Sequence, residues 1–257
     1  MKKTIIVLLA LGGMASAASI GYSEMSSTQK EGVVMGLDWN GSDSKGALSG
    51  GTVANGTLTY SDAPWADVTT GASFTISFDI TDLNVSAWQD VLCLASTVNA
   101  HPNSDVRKLQ LQANNDGMLY MYNTGSTLFN GNGDASATNM ELGITTTMVA
   151  ADIYTFTFVS DVTAKTFTGY VNGNQVGQWT NWTSDGGIGG IQFGQRFGGG
   201  RGIGENGAFT IDNVTIWDRA LDSAAVKAIT TTAVPEPTAA TLSLLALAGL
   251  AARRRRK

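Results

Sequence analysis

The plainest pattern in the chain is a two-residue alternation of apolar and polar side chains, repeated in short stretches. Phe74, Ile76, Phe78 and Ile80 fall on one side of an extended segment, and Thr75, Ser77 and Asp79 on the other. That is the period of a strand with one buried face. Val33, Met35, Leu37 and Trp39 keep the same period, as do Leu109, Leu111 and Ala113 against Gln110 and Gln112. Tyr154, Phe156 and Phe158 do so against Thr155 and Thr157. Val91 to Ala95 is a continuous apolar run, which suits a central strand covered on both faces. Asn114-Asn115-Asp116-Gly117 and Asn172-Gly173 are hairpin turns, the first leading into residues 118–122 and the second joining 167–171 to 175–178. Gly50 to Tyr60 is a weaker strand region broken at Asn55-Gly56. Phe209 and Ile211 keep one phase and Val214 and Ile216 the other, so a bulge or bend is expected at Asp212-Asn213. Only after Leu221 does the pattern turn helical, with Asp222 as N-cap, a helix over 223–229, and Val226 and Ile229 inward. Asp185 to Gly207 reads as a Gly-rich loop, and residues 18–32 as a polar, flexible lead-in. Many short strands with turn residues between them predict an all-β, two-sheet antiparallel sandwich with one short C-terminal helix.

The two ends carry different patterns. Lys2 and Lys3 precede an apolar run from Ile5 to Leu11, then Ala15-Ser16-Ala17, a small-x-small cleavage site. Residues 1–17 are therefore expected to be a signal peptide, cut after Ala17 by signal peptidase. No Cys follows the site, which argues against an N-terminal lipid anchor. At the other end stand Pro235-Glu236-Pro237, an apolar run from Ala239 to Ala252, and five consecutive cations, Arg253 to Lys257. A helix over residues 238–252 would be about 22 Å long against a hydrocarbon core of about 30 Å. The span is short, and arginine stems reaching the headgroups would help it cross. The cations place the C-terminus on the cytoplasmic side, leaving the Pro-Glu-Pro and the body of the chain on the other.

Charge changes once the ends are set apart. Seven of the 16 basic residues lie in the two terminal signals with only one of the 21 acids, Glu236. The exported part thus holds 9 basic and 20 acidic residues, a net charge of −11. Such a surface argues against nucleic acid and anionic lipid as partners. Cys93 is the sole cysteine and sits in an apolar run, so no intrachain disulfide can form and a buried, inert thiol is expected.

The Pro-Glu-Pro, apolar span and terminal arginine cluster together resemble the PEP-CTERM sorting signal, over 234–257. The resemblance implies handling by an exosortase-type transpeptidase near Pro235, Glu236 and Pro237, in a bacterium with an outer membrane. A plain C-terminal anchor is the alternative, with the same orientation. In the body, Ala208-Phe209-Thr210-Ile211-Asp212-Asn213-Val214-Thr215-Ile216-Trp217-Asp218-Arg219-Ala220-Leu221-Asp222 resembles the closing segment of LamG-like, concanavalin A-like lectin/glucanase jelly rolls. Gly71 to Phe78 is similar to the early core strand of that family and Tyr170 to Gly173 to its late hairpin turn. The family often has Glu three residues past the helix cap, where this chain has Ala225. The likeness implies a jelly-roll domain over 33–233 that binds glycan or glycoprotein.

Candidate chemistry is sparse. Jelly-roll glycosidases related to this family carry Glu-x-Asp-x-x-Glu on one strand, and no such triplet occurs here. His101 is the only histidine and lies in a polar loop, so a His-based zinc site is excluded and a surface role is expected. Gly202 to Gly207 fits Gly-x-Gly-x-x-Gly in form but precedes a strand, so no helix N-terminus meets a pyrophosphate. The turn-adjacent carboxylates Asp62, Asp67, Asp116, Asp185 and Asp212 could hold calcium, although each also suits an ordinary solvated or turn-capping role. Trp179, Trp182, Arg196 and Arg201 are the ligand-binding candidates, since indoles stack on sugar faces and arginine forks pair with carboxylates. The expectation is an exported, non-catalytic carbohydrate- or glycoprotein-binding protein of the cell envelope, outer surface or extracellular space. A structural component of the surface polymer is the alternative, and a glycoside hydrolase with an unrecognised site the third reading.

Overall fold

The computed structural model describes residues 17–38, 43–48, 52–54, 57–59, 65–83, 89–97, 109–113, 118–123, 139–143, 153–184, 186–194 and 209–232. Among them run β1 (Ala17–Ser19), a 3-10 turn (Tyr22–Glu24), α1 (Ser27–Lys30), β2 (Val33–Leu37), β3 (Thr52–Ala54), β4 (Thr57–Thr59), β5 (Trp65–Asp67), β6 (Phe74–Thr81) and β7 (Gln89–Ser96). They continue with β8 (Leu109–Ala113), β9 (Leu119–Asn123), β10 (Asn139–Glu141), β11 (Tyr154–Asp161), β12 (Thr166–Val171), β13 (Asn174–Thr180), β14 (Ile188–Phe193), β15 (Thr210–Trp217), α2 (Ser223–Ala228) and β16 (Thr230–Thr232).

Alternation sorts fourteen of these strands into two antiparallel sheets, and β1 and β16 pair as a separate ribbon. One runs β13-β12-β11-β6-β15-β4-β3, with β2 also on β15, and the other β10-β9-β8-β7-β14-β5. The apolar phase of each faces the other sheet. Phe78 of β6 lies 5.8 Å from Phe156 of β11, and 5.4 Å edge-on from Phe193 of β14 in the opposite sheet. All three are fully buried, each contributing about 1.5–3 kcal/mol of burial. This is the jelly-roll-like sandwich expected.

Local signals place several elements as the sequence predicts. Asn172 (φ 51°) and Gly173 (φ 72°) make the left-handed pair that closes β12 onto β13. The register of β15 on β6 shifts between Asp212 and Thr215, with Asn213 at φ 51°. Asp222 caps α2 by accepting a hydrogen bond from Ala225 N–H at 2.7 Å, while Val226 and Ile229 are buried.

Two expectations are corrected. The Gly-rich segment after Asp185 contains β14, paired to β7 on one edge and β5 on the other. It is a strand because its glycines fit a crowded place: a Cβ on Gly189 would meet Ser96 O at 2.7 Å and Thr97 Cα at 2.8 Å. Residues 18–32 are not a flexible lead-in. They form an arm on the outer face of the eight-stranded sheet, with Ser19, Tyr22 and Met25 buried. The arm includes α1, whose N-terminus carries a capping box of Ser26 and Gln29. Gly36 makes the docking possible, since any Cβ there would overlap the Tyr22 ring. Among the described residues no helix is long and apolar enough to cross a membrane; the expected span lies outside them.

Candidate functional site

Each sheet has an outer face, and the two faces differ. On the eight-stranded sheet the polar phase of the strands consists of short side chains: Thr75, Ser77 and Asp79 of β6, Thr155 and Thr157 of β11, and Thr215 of β15. All are buried to within 2% of full enclosure. A second apolar cluster covers them, made of Tyr22, Met25, Val33, Val159, Tyr170, Trp217, Leu221, Val226 and Ile229. Asp79 is the polar hub beneath the arm. Its carboxylate accepts from Ser19 N–H at 2.9 Å, Ser19 Oγ at 2.9 Å, Thr155 Oγ1 at 2.6 Å and Asn213 Nδ2 at 2.8 Å. Burial raises the Asp79 pKa, and these donors oppose the rise. Asp38, at the end of β2, accepts from both the N–H and the hydroxyl of Ser23. This face is closed by the arm and by α2.

The six-stranded sheet presents a different set. Its inward phase is Leu109, Leu111, Ala113, Leu119, Met121 and Met140. Its outward phase is Gln110 and Gln112 of β8, Tyr120 and Tyr122 of β9, Glu141 of β10, Asp90 and Cys93 of β7, and Gln192 of β14. The register sets them in rows. Gln192 pairs with Cys93, Cys93 with Gln110, and Gln110 with Tyr122. In the neighbouring row Asp90 pairs with Gln112, Gln112 with Tyr120, and Tyr120 with Glu141. Asp90, Gln110 and Tyr120 are only 5% exposed, while Gln112, Tyr122 and Gln192 are half-buried. Gln110 Nε2 lies 4.0 Å from Cys93 Sγ, and the enclosed Gln192 Oε1 accepts no hydrogen bond.

The chemistry of this second face follows from its residue types. Carboxamides offer a donor and an acceptor on one planar group, and phenols add a ring face and a hydroxyl. An enclosed amide oxygen without a donor is a cost that a hydroxyl-bearing ligand can relieve. Pairs of glutamine and tyrosine on adjacent strands therefore suit a flat, hydroxyl-rich molecule. No three His, Cys, Asp or Glu side chains among the described residues converge as a metal site.

Of the ligand and calcium candidates singled out from sequence, the structure describes Trp179, Trp182, Asp67 and Asp212. Trp182 is 1% exposed, and its indole N–H donates to Ser160 Oγ at 2.9 Å. It packs on Phe167 at 4.8 Å and Trp179 at 5.9 Å, so its ring is part of the core and is not presented to a sugar. Trp179, half-buried near the end of edge strand β13, stacks on Phe167 at 5.2 Å. Arg196 and Arg201 lie outside the described residues, as do Asp62, Asp116, Asp185 and His101, and the terminal Ala15, Pro235, Glu236 and Pro237. Asp67 is exposed on β5. Asp212 is half-buried near Asp79 and Asp38; desolvation, opposed by a hydrogen bond from Asn213 N–H and reinforced by those two carboxylates, pushes its pKa up to about 7. Ala17 opens β1, opposite Thr232 of β16. Cys93 is fully buried, as expected. The glutamine–tyrosine face was not singled out from the sequence. Its signal was there, in the Gln-x-Gln and Tyr-x-Tyr phases of two adjacent strands that could have carried Ser, Thr or Lys.

No protein-family model matches the chain, and no curated protein does. Solved structures do. The binding domain of botulinum neurotoxin serotype D aligns at a TM-score of 0.54 and 10% identity, covering 78% of this chain and 50% of that one. The binding domain of Paraclostridial Mosquitocidal Protein 1 aligns at 0.50 and 16% identity, covering 78% of this chain and 52% of that one. The present chain thus spans about half the length of those toxin domains. The Ruminococcus gnavus IT-sialidase CBM40, solved with alpha2,3 sialyllactose, aligns at 0.50 and 14% identity, covering 71% of this chain and 97% of that one. The chain therefore shares the jelly-roll sandwich fold of these binding domains.

Proposed function

We propose that the protein is an exported, non-catalytic carbohydrate- or glycoprotein-binding domain whose ligand lies on the outer face of the six-stranded sheet. The observation that carries this reading is the double row of Gln110, Gln112, Tyr120 and Tyr122, flanked by Asp90 and Gln192, on the face opposite the one that the arm and α2 cover. Its donors, acceptors and rings match the hydroxyls and flat faces of sugars. The fold shared with a sialidase carbohydrate-binding module solved with a sialylated sugar supports the ligand class. Trp179, Arg196 and Arg201 remain candidates for peripheral contacts.

Binding without turnover is favoured by the missing Glu-x-Asp-x-x-Glu triplet. Export rests on the N-terminal signal pattern, and delivery to the envelope on the Pro-Glu-Pro tail with its exosortase-type partner. Calcium is not required by this reading.

The test is a glycan array probed with the exported protein, with and without calcium, alongside Gln112→Ala and Tyr122→Ala. The reading predicts a glycan signal that both variants lose. A signal unaltered in both would remove the ligand from this face. No signal on any glycan would favour a structural role in the surface polymer.

A further inference from the structure

The strands of the six-stranded sheet carry charge of one sign. Their three carboxylates all fall on the outward phase: Asp90 opposite Gln112, Glu141 opposite Tyr120, and Asp67 opposite Gly190, two residues from Gln192. These strands hold no Lys, Arg or His. The five cations among the described residues belong to the eight-stranded sheet and to what packs on it. Lys30 lies in α1, Lys45 is bridged to Gly36 of β2, Lys165 sits in the turn between β11 and β12, Arg219 follows β15, and Lys227 is in α2. Arg107, Lys108, Arg196 and Arg201 lie outside the described residues.

A carboxylate stands at each end of one glutamine–tyrosine row. The register runs Asp90, Gln112, Tyr120, Glu141 across β7, β8, β9 and β10. Neighbouring strands lie about 4.8 Å apart, so the row is about 14 Å long. Asp90 is 5% exposed and Glu141 is exposed, so one end is sheltered from solvent and the other is open. In the neighbouring row Gln192 Oε1 is an enclosed acceptor that no donor meets. Both rows thus call for hydrogen-bond donors. Sugar hydroxyls supply them, whereas an ionised sugar carboxylate or sulfate supplies none and brings a like charge.

We propose that the ligand of this face is an uncharged oligosaccharide lying along the Asp90–Gln112–Tyr120–Glu141 row, and that Asp90 and Glu141 set this specificity by repelling acidic glycans. The inference deepens the glycan-binding reading and rests on it. Like charges within about 8 Å, partly withdrawn from water, repel strongly enough to weaken binding about tenfold. Asp90 contributes more than Glu141, because solvent and salt screen the exposed group. The likeness to the CBM40 module solved with a sialylated sugar is one of fold, and the charge a ligand can carry is decided by the side chains of each protein's own face.

The test uses an array of matched pairs, each neutral oligosaccharide printed beside its sialylated, uronic or sulfated form, probed near neutral pH with the exported protein. The pair with the strongest signal then goes into calorimetry with wild type, Asp90→Asn and Glu141→Gln, at low and at high salt. The expected result is a neutral member bound at least about tenfold more tightly than its acidic partner by wild type. That ratio should fall toward one in Asp90→Asn, fall by a smaller step in Glu141→Gln, and shrink with added salt. Glu141→Gln, at an exposed position, carries the test should Asp90→Asn not fold. Equal or tighter binding of the acidic members overturns the inference and leaves glycan binding intact, as does a ratio unchanged in every folded variant. No binding to either member of any pair removes the glycan reading of the face and the inference with it.

Discussion

The two outer faces of this sandwich are built from the same alternation and have opposite fates. On the eight-stranded sheet the outward side chains are short, Thr75, Ser77, Thr155, Thr157 and Thr215, and the arm and α2 pack flat against them. On the six-stranded sheet they are long and polar, Gln110, Gln112, Tyr120, Tyr122 and Gln192. Short hydroxyl side chains let a second apolar layer approach, and the polar atoms are then met from within, as Ser77 Oγ meets Thr157 Oγ1 at 2.9 Å. Among the described residues no second apolar cluster packs on these long side chains; Gln110 and Tyr120 are nonetheless buried, and Gln112, Tyr122 and Gln192 are half-buried. The first face stabilises the fold, and the second is the one we propose for the ligand.

That contrast can be broken from either side. The largest stability loss is expected for Trp182→Ala, about 3–5 kcal/mol by urea denaturation, with glycan binding kept by the folded fraction. A loss of binding at unchanged stability would instead restore Trp182 as a ligand contact. Asp79→Ala strips the acceptor from Ser19, Thr155 and Asn213. At about 1–3 kcal/mol for each buried donor left unmet, it should cost about 3 kcal/mol or more and expose the arm to proteolysis near Tyr22. Tyr122→Ala and Gln112→Ala should behave in the reverse way, with stability moving by less than about 1 kcal/mol and glycan affinity falling about tenfold, read by calorimetry.

The smallest effect is one of pH. Asp212 titrates at about 7 in the fold against 3.8 ordinarily. Stability linked to its proton is therefore complete below about pH 4 and lost as pH rises through 7. Asp212→Asn, which keeps the oxygen that accepts from Asn213 N–H at 2.7 Å, should raise the melting temperature at pH 8 and leave it unchanged at pH 4. Equal gains at both pH values would contradict the assignment.

Much of this architecture was legible because local rules and global packing agree. The phase of Phe74 to Ile80 gives β6, Asn172-Gly173 gives the β12–β13 turn, the slip at Asp212-Asn213 gives the bulge in β15, and Asp222 gives the cap of α2. β14 was hidden because Ile188-Gly189-Gly190 has little strand preference of its own; its glycines are demanded by the backbone of residues 96–97. The arm was hidden for a related reason. Its anchor is Asp79, 60 residues from Ser19, and its berth is the missing Cβ of Gly36, neither of which shows as a periodicity. Trp179 and Trp182 looked like binding residues because sequence does not distinguish an indole stacked on Phe167 from one stacked on a sugar. The glutamine–tyrosine face needed the register of β7, β8 and β9 before its members became neighbours.

The most direct test of the account is calorimetric titration of a glycan selected on the array into wild type and into the Gln112→Ala/Tyr122→Ala double variant, both first shown to melt at the same temperature. The account predicts saturable binding to wild type and an affinity at least about tenfold weaker in the double variant. Identical isotherms for the two proteins would contradict it.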